Sequence, residues 1–323
     1  MLLVRSIAII NQKGGVGKTT TVANLGAAVA TLGKRVCLVD LDPQAHLTLH
    51  FGVEPSKSQL SIYESLTVDA PLASAAVQLR DGLALIPSSI DLAAAEVELA
   101  ARVGREQILS DRIAAADLPH DLLMIDCPPS LGLLTLNALA AAEEVYIPLQ
   151  PHFLALQGLG KLLETVALVQ RRINPSLRVS GVMLCLYDMN TRLASEVMAD
   201  LESFVASARS GNTPWAGMQI FRTVIRRNVK LAECPSYGMT IFDYAPNSHG
   251  AEDYRALAEE FLERLDGPPA ADATGGEATP LREARASETA GDRSVTAPAP
   301  SPDPQPGQPQ APHPPAQAES ASE

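Results

Sequence analysis

The chain has 323 residues and a formal net charge of −12, enough length for one large or two medium domains and too acidic for a nucleic-acid contact that does not rest on a local patch. No apolar run approaches the ~18 residues a membrane span requires, and the first residues lead into a strand pattern rather than a signal peptide. Four cysteines, Cys37, Cys127, Cys185 and Cys234, lack CxxC spacing and sit mostly in apolar runs, so a cytoplasmic protein with buried, reduced thiols is expected.

Residues 5–11, with Ile7, Ala8, Ile9 and Ile10, read as a strand that runs into Lys13-Gly14-Gly15-Val16-Gly17-Lys18-Thr19-Thr20. Glycines at 14, 15 and 17 let successive backbone N–H groups turn inward as an anion nest, and a helix opening at Lys18 adds its positive dipole end. Lys18 is positioned to reach the β- and γ-phosphates, and Thr19 to place a hydroxyl on Mg²⁺. Residues 18–32 have helical patterning, Gly33 supplies the cap, and 35–40 form the next strand, which completes a βαβ unit of the expected ~30 residues. Lys13 lies before the loop has wrapped anything, so phosphates bound in cis do not need it. Its simplest use is the nucleotide of another subunit.

The second strand ends in Asp40-Leu41-Asp42-Pro43-Gln44. Asp42 is the candidate to orient the attacking water, because Pro43 fixes the backbone where a switch loop would begin, and Asp40 the candidate to support the magnesium shell. Further strands are expected at 83–87, 122–126, 144–149, 180–186 and 219–224, with helices at 91–101, 105–116, 131–141, 155–173, 192–208 and 250–265. The strands are near-continuously apolar, as strands buried on both faces are. The alternation predicts an α/β fold, a doubly wound, mostly parallel sheet with flanking helices of the P-loop NTPase type. The segment 122–126 has the form of a Walker B strand, four apolar residues and then Asp126, whose carboxylate would hold Mg²⁺. Each of these motifs falls at the carboxyl end of a strand, where such sheets bind ligands.

From 267 to 323 the composition changes: 12 of the 25 prolines fall there, with 8 acidic and 3 basic residues and hardly a bulky apolar side chain. Such a segment cannot bury enough surface to offset its conformational entropy. The expected organisation is an ATPase domain over 1–266 and a disordered, Pro/Ala-rich acidic tail over 267–323.

Taken together, the loop with Lys13, Asp40-Leu41-Asp42-Pro43-Gln44, Ile125-Asp126-Cys127-Pro128-Pro129-Ser130, the run from Val224 to Glu233, and Gly250-Ala251-Glu252-Asp253-Tyr254 resemble the ParA/Soj family of Walker-type partition ATPases. The resemblance covers nearly all of residues 3–265. It implies that Lys13 crosses a nucleotide sandwich dimer to touch the partner's phosphates, and that Gly14 marks the close approach of two subunits. It implies ATP and Mg²⁺ as ligands, Asn228 as a residue that helps hold the adenine, and Arg226 where the family usually has proline. It further implies a cycle: ATP closes a homodimer, the dimer binds double-stranded DNA without sequence preference, and a ParB-like protein triggers hydrolysis and release. Such a protein is cytoplasmic and nucleoid-associated.

Arg222, Arg226, Arg227 and Lys230 put four cations within nine residues and no acid among them, a candidate phosphate-tracking patch. Lys230 matches a DNA-contacting arginine of the family, and Arg192 lies near a second such position, held here by Asn190. If all four engaged phosphates on both subunits, the log–log salt slope would approach about −7, at roughly 0.9 per contact. The alternatives are a family member that positions another cargo and a membrane-surface ATPase of the MinD type. The latter needs a terminal amphipathic helix, which the Pro-rich tail does not supply, so no membrane partner is expected. An iron–sulfur protein on the same scaffold would need cysteines in matching loops, which Cys127 alone does not provide.

Overall fold

The computed structural model describes residues 4–54, 60–152, 155–188 and 192–267, apart from the side chains of 192 and 193. The expected tail, beyond Gly267, lies outside the described residues. Eight strands form one sheet in the order β3-β4-β2-β5-β1-β6-β7-β8: β1 (Arg5–Ile9), β2 (Val36–Asp40), β3 (Val77–Arg80), β4 (Leu83–Ile86), β5 (Leu122–Asp126), β6 (Glu144–Leu149), β7 (Arg178–Tyr187) and β8 (Gln219–Arg226). All neighbours pair in parallel except β3, which runs antiparallel to β4. The seven strands expected from the sequence are all present; β1 stops at Ile9, before Asn11.

Strand side chains alternate between two apolar layers, as a period of two requires. Ala8, Ile10, Val39 and Ile125 face one layer, and Ile7, Ile9, Leu38 and Met124 the other. The helices are α1 (Lys18–Thr31), α2 (His46–His50), α3 (Ile62–Thr67), α4 (Leu92–Leu99), α5 (Ile108–Ala115), α6 (Leu133–Ala141), α7 (Ala155–Arg172), α8 (Arg192–Ala208), α9 (Val229–Glu233), α10 (Ile241–Tyr244) and α11 (His249–Asp266). Residues of α3 to α8 line the first layer, among them Leu66, Leu92, Leu109, Leu134, Val166 and Leu201. Residues of α1, α2, α10 and α11 line the second, with Leu25, Leu47, Ile241, Tyr254 and Phe261. The sheet is therefore wound on both faces, and its strands are buried throughout their middle.

Gly33 closes α1 in the left-handed region at φ +92°, with its N–H on the Ala30 carbonyl at 3.0 Å. Strand β3 was not expected: it has four residues, none fully buried, and its link to β4 is Asp81-Gly82 with Gly82 at φ +72°, a turn type that such pairs favour. Helices α2, α3, α9 and α10 were likewise unanticipated, being only four to six residues long.

Candidate nucleotide site

Because β2, β5 and β1 are adjacent in the sheet, three carboxyl ends converge. The register sets Ile9 beside Asp126 and Asp126 beside Asp40. The phosphate loop leaves β1 here and turns through Gly15 and Gly17, whose φ angles of +73° and +93° lie where only glycine is unstrained. Val16 is buried under the loop. Lys18, Thr19 and Thr20 then open α1, and Thr20 fixes that turn by accepting the Asn24 amide at 2.9 Å.

Lys18 is 7% exposed, and its Nζ donates to the Lys13 carbonyl at 3.3 Å. Burial lowers its pKa, while Asp126 and Asp42 act to keep it charged. Asp126 is fully buried, and neither carboxylate oxygen has a hydrogen-bond partner of ordinary geometry. Burial raises its pKa well above the carboxylate range, Asp40 adds to this, and the Thr19 hydroxyl and Lys18 oppose it. A buried carboxylate in this state is costly unless a cation compensates it. No group of three or more His, Cys, Asp or Glu placed to hold a metal ion exists among the described residues. Mg²⁺ takes one or two protein groups and completes its octahedron with water and substrate phosphates, and Asp126 and Thr19 are the groups here that could hold it.

Asp42 is 8% exposed; its Oδ1 accepts from Gln44 N at 2.9 Å, and Oδ2 takes no hydrogen bond among the described residues. Asp40, expected in the magnesium shell, is committed elsewhere. Its Oδ2 accepts both N–H and O–H of Thr48, at 2.8 and 2.7 Å, and its Oδ1 accepts Asp42 N at 3.2 Å. Thr48 Oγ1 in turn accepts Ser88 N at 2.9 Å, and Ser88 Oγ donates to the Asp42 carbonyl at 2.8 Å. Asp40 is thus the anchor of a closed network that fixes the backbone of Asp42. Thr48 and Ser88 were missed in the sequence; Ser88 carried one usable signal, its place just past the carboxyl end of a buried strand.

Lys13 and Gly14 are exposed on the loop's outer side. Lys13 N donates to Asn11 Oδ1 at 3.0 Å, and Lys13 Nζ contacts His152 Nε2. A Cβ built on Gly14 would meet nothing within 4 Å, and its φ is not positive. Neither chain conformation nor packing within the subunit requires glycine there.

The basic segment lies elsewhere, along β8 and α9, and is less free than its sequence implied. Arg226 binds Asp253 of α11 through its backbone N–H (2.9 Å), Nε (3.0 Å) and terminal nitrogen (2.6 Å). This bidentate geometry makes it a structural clamp rather than an available phosphate or base contact. Arg222 pairs with Glu260 at 3.5 Å and Glu263 at 3.2 Å, and Lys230 with Glu233 at 2.8 Å. Arg227 is exposed and has no ion pair among the described residues. Asn228 caps α9, its Oδ1 accepting Lys230 N at 2.8 Å. Arg192 begins α8, but its side chain lies outside the described residues, as does Asn190.

A glycine nest ahead of a helix, a buried lysine beneath it and two carboxylate-bearing strands alongside define a P-loop nucleotide hydrolase. The AAA domain family model matches residues 4–179. The chain is 47% identical over 262 residues to the chromosome-partitioning ATPase Soj of Thermus thermophilus, covering 81% of this chain and 97% of that one. It is 44% identical over 255 residues to the sporulation initiation inhibitor protein Soj of Bacillus subtilis, covering 79% and 96%. A solved structure described as cobyrinic acid a,c-diamide synthase from Mycobacterium smegmatis, with bound ATP analogue and magnesium, superimposes with a TM-score of 0.68 at 39% identity, covering 81% and 96%. The chain belongs to the Soj/ParA family of partition ATPases.

Proposed function

We propose that the chain is a DNA-segregation ATPase whose output is a nucleotide-dependent dimer that binds duplex DNA. It is an ATPase and uses ATP with Mg²⁺. In this reading the amides of residues 14–19 cradle the phosphates, and Lys18 neutralises charge at the β- and γ-positions. Thr19 and Asp126 hold Mg²⁺, which when bound supplies Lewis-acid polarisation of the phosphate oxygens. Asp42, fixed by the Asp40–Thr48–Ser88 network, orients the attacking water through its unoccupied Oδ2.

The observation that carries the dimer is the pair Lys13 and Gly14. Both are exposed beside the phosphate nest, and the subunit gives no internal reason for the glycine. A second copy laid over the loop supplies one, with Lys13 reaching its phosphates. A ParB-like protein is the expected stimulus for hydrolysis, and nucleoid association the expected location. No helix among the described residues is long and apolar enough to cross a membrane.

Retention on random-sequence duplex is the test. With ATP and Mg²⁺ the protein should bind, and with ADP it should not; equal binding with both nucleotides would remove the DNA role.

A second reading, ATP-driven amidation of a carboxylate, attaches to the name of the M. smegmatis structure. Taking ammonia from glutamine calls for an accessible nucleophile such as a thiolate. All four cysteines are buried, and burial pushes the thiols of Cys37 and Cys185 up to about 12 and that of Cys234 to about 11. Steady ATP turnover without glutamine or ammonia separates the two readings.

A further inference from the structure

A cavity beside the phosphate loop, lined by Lys13 and Val16, has no place in the scheme above. It measures 280 Å³ and lies between the carboxyl ends of β1 and β6 and the first turns of α7. Its polar lining is Lys13, Lys161 and His152 together with the amides of Asn11, Gln12, Gln150 and Gln157, with no aspartate or glutamate among the described residues. In a chain of net charge −12, a cavity with two ammonium groups and no carboxylate is unusual in its sign. Arg226 and Lys230 differ in this respect, each having a carboxylate within 3 Å.

The amides fit the same polarity. Asn11 already spends Nδ2 on the Pro148 carbonyl at 2.8 Å and Oδ1 on Lys13 N, which fixes the wall from which Lys13 projects. Gln150 and Gln157 bring amide N–H groups on the opposite walls, neutral donors that suit an oxyanion without adding charge. Lys13 Nζ meets His152 Nε2 here, and the imidazole's pKa is lowered by burial and by the Lys13 charge. A neutral imidazole therefore accepts from the ammonium. An anion entering the cavity would offset the Lys13 charge at His152 and give the two lysines a shared counter-charge.

We infer that this cavity is a binding site for a small tetrahedral oxyanion, of the class of inorganic phosphate, separate from the nucleotide nest and joined to it by Lys13. Hydrolysis of ATP beside Asp42 produces such an ion, so the cavity offers phosphate a place to go after cleavage without recrossing the nest. The inference rests on the ATPase reading but extends it from the nest to the product.

Imidazole NMR of full-length protein saturated with ADP and Mg²⁺, titrated with inorganic phosphate, tests it. ADP fills the nest, and the His152 resonance is assigned by its loss in His152→Gln. Phosphate should shift the His152 resonance saturably and raise its pKa, and Lys161→Met should weaken that binding about tenfold, the worth of one charged hydrogen bond. Lys161→Met should raise the concentration of added phosphate needed to inhibit ATP hydrolysis. An unshifted His152 resonance, or a shift that Lys161→Met does not weaken, would overturn the site. A shift that grows linearly without saturating would identify an adventitious ion only and overturn it equally. Because the same samples are assayed for ATP turnover, loss of the phosphate site in a protein that hydrolyses ATP defeats this inference alone.

Discussion

Beside the phosphate loop Lys18 and Asp126 are buried and poorly partnered, whereas along β8 and α9 the charged groups are more exposed and mostly paired. Neither buried oxygen of Asp126 has a hydrogen-bond partner of ordinary geometry, and Lys18 beneath the loop donates to a carbonyl at 3.3 Å. Arg226, by contrast, closes on Asp253 with a 2.6 Å contact. A buried group left unsatisfied costs folding free energy and persists where a ligand completes it. A cation already closed on a carboxylate has its partner within the fold. The first region is built around something absent from the chain, and the second is in large part built around itself.

That contrast can be broken by substitution, and the largest effect is expected at Lys18. Lys18→Ala should abolish ATP binding, measured by calorimetry, because it removes the cation buried under the nest. Asp126→Asn should separate two quantities that usually move together. Without nucleotide the variant should unfold at a higher temperature, by the equivalent of about 1–3 kcal/mol, since an uncompensated buried carboxylate is gone. The added stabilisation that ATP with Mg²⁺ confers on the wild type should be lost. A variant less stable than wild type in the absence of ligand would show that Asp126 is satisfied within the fold.

His50 supplies a smaller, pH-dependent effect. It is 2% exposed at the end of α2, and burial lowers its pKa to about 4, partly opposed by a bond to the Met239 carbonyl. A depressed pKa gives stability that is present above the unfolded value of 6.5 and lost as pH falls through the window from 6.5 to 4. The whole effect amounts to about 3 kcal/mol. Melting curves across that window should fall more steeply for wild type than for His50→Asn; equal slopes would show that His50 does not titrate there.

The smallest effects belong to the basic segment. With Arg226 committed to Asp253, Arg222, Arg227 and Lys230 remain for phosphates, the exposed ion pairs of Arg222 and Lys230 being weak enough to exchange. The salt slope for an ATP-bound dimer should therefore be about −5 rather than about −7, at roughly 0.9 per contact. Arg227→Ala should reduce it by about 2 units, and Arg226→Ala should leave it unchanged while lowering the melting temperature. A slope that falls with Arg226→Ala would return that residue to the DNA surface.

The same contrast explains what could be read from the chain alone. The placement of the phosphate loop, Asp42 and Asp126 at strand ends was legible because each is a local motif after an apolar strand; that the three ends meet follows from the strand order, with β5 between β2 and β1. The status of the arginines was not legible, since their partners Asp253, Glu260 and Glu263 lie 27 to 41 residues away on α11. A run free of acids in sequence is not free of them in space. The Asp40–Thr48 bond was hidden for a related reason: α2 is a five-residue helix with no periodicity to announce it. Strand β3 was missed because its four residues, none of them buried, have no apolar pattern of their own.

Lys13 is the residue on which the proposed switch depends, and sedimentation velocity of wild type and Lys13→Ala, each with ATP and Mg²⁺ at matched nucleotide occupancy, tests it most directly. The wild type should sediment as a dimer and Lys13→Ala as a monomer that still binds ATP. A Lys13→Ala protein that dimerises with ATP as the wild type does would contradict the role assigned to Lys13.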